Sequence, residues 1–255
     1  MLRKLRIAAL LYVLLFVAVG HVLTQVRARS WEDTLLVTVH PVAGDDSPAT
    51  RARIERLDPS ELEPLVVFFA KEASRYGVLV ATPLSFQLAH PGANALPRNR
   101  GRSFVDALAF SLRLRWAALI ANRRADLPSP DITLFVVFHD GAVTPTLEHS
   151  VGLRKGLVAV ANVFADPSAV GSNRVVIAHE LLHTLGATDK YDPQTNLPVY
   201  PEGYADPDAV PLYPQAKGEL MAGRIPRSAA SADIPTGLDA VVVGPVTAAE
   251  IGWIR

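Results

Sequence analysis

His179-Glu180-Leu181-Leu182-His183 sets two imidazoles four residues apart, with a carboxylate beside the first. On a helix such positions project from one face, one turn apart, so a single metal ion can take both rings. Glu180 then falls on the side where an activated water would lie, and the set reads as the core of a zinc hydrolase. A catalytic zinc wants three protein ligands and one open position. Gly186, a turn past His183, can adopt the left-handed conformation that ends a helix and sends the chain back under the metal. Asp189 is the first metal-competent side chain on that return. Asp192 would serve if the turn were looser. Glu202 would need a later helix, which Pro198, Pro201, Gly203 and Pro207 oppose.

His179, Glu180, His183, Gly186 and Asp189 spell H-E-x-x-H-x-x-G-x-x-D. This resembles the metzincin signature, H-E-x-x-H-x-x-G-x-x-H, in the variant with a third-ligand aspartate found in small secreted neutral proteases of snapalysin type. The resemblance implies that His179, His183 and Asp189 hold one catalytic Zn2+ and that Glu180 is the general base. It implies a peptide or protein substrate. It also implies a methionine turn beneath the ligands, and Met221 is the one methionine besides the initiator. Gly223 stands where the family usually has a tyrosine, so Tyr191, Tyr200, Tyr204 and Tyr213 are the candidates for a phenol at the oxyanion. The strand before the active-site helix, 157–163, would by the same resemblance lie at the sheet edge and pair with extended substrate. Two other readings stand beside it. One is a gluzincin-type peptidase with Glu202 as third ligand. The other is a non-catalytic, metal-stabilised extracytoplasmic binding module, against which Glu180 argues, since a structural zinc needs no base.

The elements that must position these residues read as an α/β domain, and the resemblance implies a zincin fold with a mixed twisted sheet, an active-site helix and an irregular C-terminal part. Strands are expected at 34–40, ending at Pro41, and at 84–88, 131–138 and 157–164. Asp58-Pro59-Ser60-Glu61 starts a helix that runs to Tyr76 and stops at Gly77. A second long helix spans 103–123, where Phe104, Leu108, Leu112, Trp116 and Leu119 recur at helical spacing and read as a core-facing stripe. Its arginines read as a solvated face. Ser172 or Asn173 should cap the helix that carries the histidines. Residues 191–235 are rich in Pro, Tyr, Asp and Gly and read as irregular, and a short helix at 247–254 closes the chain. His40, His90, His139 and His149 sit at strand ends or in loops and read as structural or exposed.

The chain has 255 residues, with 25 basic and 25 acidic side chains and no cysteine. Balanced charge gives no field for nucleic acid, and a thiolate metal site or disulfide scaffold is excluded. Arg3, Lys4 and Arg6 precede an apolar run from Ile7 to Leu23, broken only by His21. Such a run is near the lower limit of a membrane span, about 17 residues. The basic flank argues for a cytoplasmic N-terminus. Residues 1–29 therefore read as a signal anchor or transmembrane segment, and 30–255 as a catalytic domain held outside the membrane. A cleaved signal at Ala18-Val19-Gly20, giving a secreted or periplasmic protein, is the alternative.

Overall fold

The computed structural model describes residues 26–91, 96–97, 103–147, 150–153 and 157–254, together with Arg6, Tyr12 and Val19. The expected anchor or signal segment and His149 lie wholly or largely outside the described residues. Among the described residues no helix is long and apolar enough to cross a membrane.

Strand β1 (Leu35–Ala43) is longer than expected and runs through Pro41. Leu35 N–H donates to Pro83 and Val39 accepts from Ala89, so the odd-numbered backbone groups face the neighbouring strand β2 (Leu84–Leu88). Proline has no N–H to give, and the ladder to β2 stops there. Pairing on the other side continues, with Pro41 opposite Val136. Between these strands lie helices α1 (Pro48–Glu55) and α2 (Glu63–Arg75). Helix α1 is not among the elements expected from the sequence. Ser47 caps it by accepting from the Ala49 amide at 3.1 Å, and Pro48 occupies the first position. Asp58 and Glu61 form a capping box, but on a 3-10 turn (Pro59–Leu62) that leads into α2.

After β2 the chain crosses through α3 (Phe104–Ala125) to β3 (Ile132–His139). A short strand, β4 (Val151–Leu153), and β5 (Val158–Phe164) follow. The sheet order is β2-β1-β3-β5-β4, all parallel except β4, which runs antiparallel to β5. The fold is thus α/β with a largely parallel sheet. Strand β5 is paired on both sides, so it is not the edge strand the family resemblance led us to expect; β4 is.

The two faces of the sheet are covered unequally. Ile132, Leu134, Val136 and Phe138 of β3 point into the main core with α1, α2 and the histidine-bearing helix α4 (Val170–Leu185). Phe135 and Val137 point the other way, onto Leu114, Ala118 and Ala121 of α3. His40 belongs to this second face, inside β1 and not at its end. Its Nε2 pairs with Asn122 of α3 at 2.8 Å, and Asn122 donates to Thr133 at 2.8 Å. Burial lowers the His40 pKa, so the ring is a neutral structural group.

The stripe on α3 is the largest departure from expectation. Leu108, Leu112, Trp116 and Leu119 are exposed, and so is Val105; the side chain of Phe104 lies outside the described residues. Periodicity marked an apolar face correctly but assigned the wrong face to the core, because this helix is apolar on both sides. Beyond α4 the chain is irregular, as expected. It contains the two-residue strands β6 (Gly218–Glu219) and β9 (Val241–Val242), which pair with each other, and the hairpin β7 (Ile225–Ser228) and β8 (Ser231–Asp233). The last helix, α5 (Pro245–Glu250), is shorter than predicted.

Candidate metal centre

Helix α4 begins at Val170, not at Ser172 or Asn173. Asp166 caps the preceding 3-10 turn through the Ser168 amide at 2.7 Å. Asn173 instead clips the helix to the end of β5, accepting from Phe164 N–H at 3.2 Å and donating to its carbonyl at 2.8 Å. Val175, Ile177, Ala178, Leu181, Leu182 and Leu185 bury one face of α4 in the main core. That packing fixes the helix rotation and turns His179 and His183 to the opposite side. Gly186 ends the helix at φ 112°, and its N–H donates to the carbonyls of Leu182 and His183. A Cβ there would be strained, so glycine makes the reversal possible.

The reversal delivers Asp189 to the histidines. Its Oδ1 lies 3.1 Å from His179 Nε2 and 3.2 Å from His183 Nε2, and the two Nε2 atoms are 3.0 Å apart. Neither alternative carboxylate joins them. Asp192 caps its own turn, accepting from the Gln194 and Thr195 amides. Glu202 is exposed in a turn, with no helix to carry it.

Each ring is held from behind. His179 Nδ1 is 3.0 Å from the Leu220 carbonyl, and His183 Nδ1 is 2.9 Å from the Ala187 carbonyl. A carbonyl can only accept, so both Nδ1 atoms carry the proton, and in the neutral rings both Nε2 atoms present lone pairs. Three acceptor atoms therefore converge on one point with mutual spacings of 3.0–3.2 Å. Ligand atoms placed tetrahedrally at the usual zinc–nitrogen and zinc–oxygen distances stand about 3.3 Å apart. The donor set fits zinc in chemistry and in spacing.

Charge reinforces the fit. Burial works to raise the Asp189 carboxyl, but a proton taken up at Nε2 of His179 or His183 would hold it well below the usual carboxylate range. Burial would lower His183, yet Asp189, Glu180 and the Ala187 carbonyl raise it. The site attracts positive charge. Glu180 is buried, one of its carboxylate oxygens lies within 4.8 Å of a ring nitrogen of each histidine, and its Oε2 has no hydrogen-bond partner among the described residues. Burial pushes its pKa up, against the opposing pull of the histidines.

Three supports escaped the sequence reading. Lys190, next to Asp189, is buried and donates to both Glu250 oxygens at 2.9 Å and to the Thr188 hydroxyl at 2.7 Å. Glu250 also accepts from the Thr188 amide at 2.9 Å, so α5 clamps the 188–190 loop from both sides of Asp189. Glu219 is fully buried and accepts from Ala222 N–H, Gly244 N–H and the Thr247 hydroxyl. It thereby fixes the 3-10 turn Leu220–Ala222, which presents the carbonyl to His179 and buries Met221 completely. Lone acids 30 to 60 residues downstream carry no local signal of such roles.

The tyrosines separate. Tyr204 and Tyr213 share a 2.7 Å bond between their hydroxyls, Tyr200 packs edge-on against Tyr204, and burial with that bond pushes the Tyr204 phenol up to about 12. Burial, with the charges of Asp189 and Glu180, raises the Tyr191 phenol. Gly223, at φ 66°, closes the methionine turn in a conformation that a tyrosine would adopt only under strain. No protein-family model matches this chain, and no curated protein matches its sequence.

Proposed function

We propose that this chain is a zinc-dependent peptidase of metzincin type, with His179, His183 and Asp189 as ligands and Glu180 as general base. The observation that carries this reading is the convergence of three acceptor atoms, none with a donor to offer the others, beside a buried carboxylate oxygen with no partner. Zinc held there would acidify a water and polarise a substrate carbonyl.

The protein's own groups supply the rest. The carbonyls of Leu220 and Ala187 hold both imidazoles in one tautomer and orientation. Glu180 Oε2 is free to take a proton from the attacking water and return it to the leaving amine. Its raised pKa brings it closer to the neutral range in which such a shuttle works both ways. Asp189 is about half exposed, so the open side of the site faces solvent where a peptide could enter. A purely structural zinc would have a closed fourth position and no use for an unpaired buried acid. The basic and apolar N-terminal run supports an anchored or exported setting for this activity.

The test is Glu180→Gln in the full chain. It should retain zinc at one equivalent and lose peptide cleavage. Cleavage at the parent rate would remove Glu180 from the mechanism.

A further inference from the structure

Among the described residues, helix α3 is the one helix packed on its face of the sheet, and nothing covers its back. Val105, Leu108, Leu112, Trp116 and Leu119 follow one another at helical spacing along that back, each between 41 and 69% exposed. A run of five large apolar side chains on one helix is far more than scattered surface hydrophobics. Arginines border it. At 100° per residue, Arg115 falls on one side of the stripe and Arg113 and Arg124 on the other, with Arg123 at its C-terminal end. Against these four guanidiniums the helix carries one carboxylate, Asp106, which is engaged with Ser103 in a capping box, and Asp126 follows at the C-cap.

We propose that this face of α3 seats in the headgroup region of an anionic lipid bilayer. An apolar stripe bordered by arginines, with a tryptophan midway, is what an interfacial helix needs: apolar side chains enter the acyl boundary while guanidiniums reach phosphates. The topology agrees. The C-terminal end of α3 leads into β3, and the helical residues 26–30 lead into β1. These strands are parallel and in register, Val37 opposite Ile132. Arg123 and Arg124 therefore lie at the same end of the sheet as residues 26–30, which themselves pack on its opposite face through Ala28. A second copy fits less well, because a two-fold contact would set four arginines against four with so few acids between them. Helix α4 and its histidines lie on the opposite face of the sheet, so this seating leaves the candidate metal centre toward water.

The chain has no cysteine, so single labels are unambiguous. Nitroxide is placed at Leu112→Cys, and at Lys71→Cys, an exposed position of α2 across the sheet, in the full chain reconstituted into phosphatidylcholine–phosphatidylglycerol vesicles. The label at 112 should collide several-fold more with oxygen than with an aqueous nickel chelate, and the label at 71 should show the reverse. Arg113→Gln with Arg124→Gln should lower the immersed population roughly fivefold per arginine, as should vesicles of phosphatidylcholine alone in direction. An aqueous label at 112 in the anionic vesicles would overturn the proposal. So would dipolar broadening between labels at 112, which would show a second copy on this face.

Discussion

The backbone amide of Lys190 donates to the Met221 carbonyl at 3.0 Å. One residue before Lys190 stands Asp189, and one before Met221 stands the carbonyl that orients His179. This bond joins the loop that carries Asp189 to the turn that carries Met221, so the proposed third ligand and the support of the proposed first one move as one piece. The buried sulfur side chain of Met221 then serves as packing under a junction made by backbone atoms.

The proposed ligand triad makes distinct predictions for neighbouring acids. Asp189→Ala and His183→Ala should each lose stoichiometric zinc by metal analysis of the purified protein. Asp192→Asn should keep it, since Asp192 only caps its own turn. Zinc loss in the Asp192 variant with retention in the Asp189 variant would reverse the assignment.

Glu180→Gln should reduce kcat by a factor on the order of 10² to 10⁴, the range expected for a positioned general base, while KM changes little. The same substitution should leave or slightly raise thermal stability, because it replaces a buried acid whose Oε2 is unpaired. A large fall in Tm would mean that the carboxylate is structural.

How much of this was legible beforehand follows from distance along the chain. His179, Glu180, His183, Gly186 and Asp189 sit within one helix and its cap, where spacing alone dictates geometry. Pro41 looked like a strand end because sequence does not show that only one of two ladders needs its N–H. The stripe on α3 was read as core because periodicity says which residues share a face, not what lies against it. Glu219 and Glu250 were invisible because a single acid far downstream resembles any surface charge until the fold buries it against Thr247 or Lys190.

The Lys190–Glu250 clasp should be sensitive to acid. Burial works to raise the Glu250 carboxyl, but the Thr188 and Lys190 hydrogen bonds together hold it below its ordinary value of 4.5. A carboxylate lowered in the fold stabilises the protein fully above its unfolded value and loses that contribution as pH falls through the folded value. Stability should therefore decline below about pH 4.5, and Glu250→Gln should flatten that part of the profile. At pH 7 the variant should be less stable by about 1–3 kcal/mol, discounted for the partial exposure of Glu250, because Lys190 is left buried with fewer acceptors. Urea titrations at pH 7 and pH 4 would check both parts. An unchanged slope with pH in the variant would contradict this account.

Gly223→Ala isolates the backbone strain of the methionine turn, since a Cβ there meets nothing within 4 Å. It should cost about 1–2 kcal/mol, or about 2–4 °C in Tm per kcal/mol for a domain of this size. Gly223→Asn should cost less, because asparagine tolerates the left-handed region better. Equal stability of glycine and alanine, measured by calorimetry, would show that the turn readjusts.

The most direct test of the central claim is a peptide-library digest by the full chain under three conditions: as purified with one equivalent of zinc, after chelation, and after zinc is restored. The account predicts cleavage in the first, none in the second, and recovery at one equivalent in the third. Cleavage that survives complete zinc removal, or its absence from a fully zinc-loaded protein across the library, would contradict it.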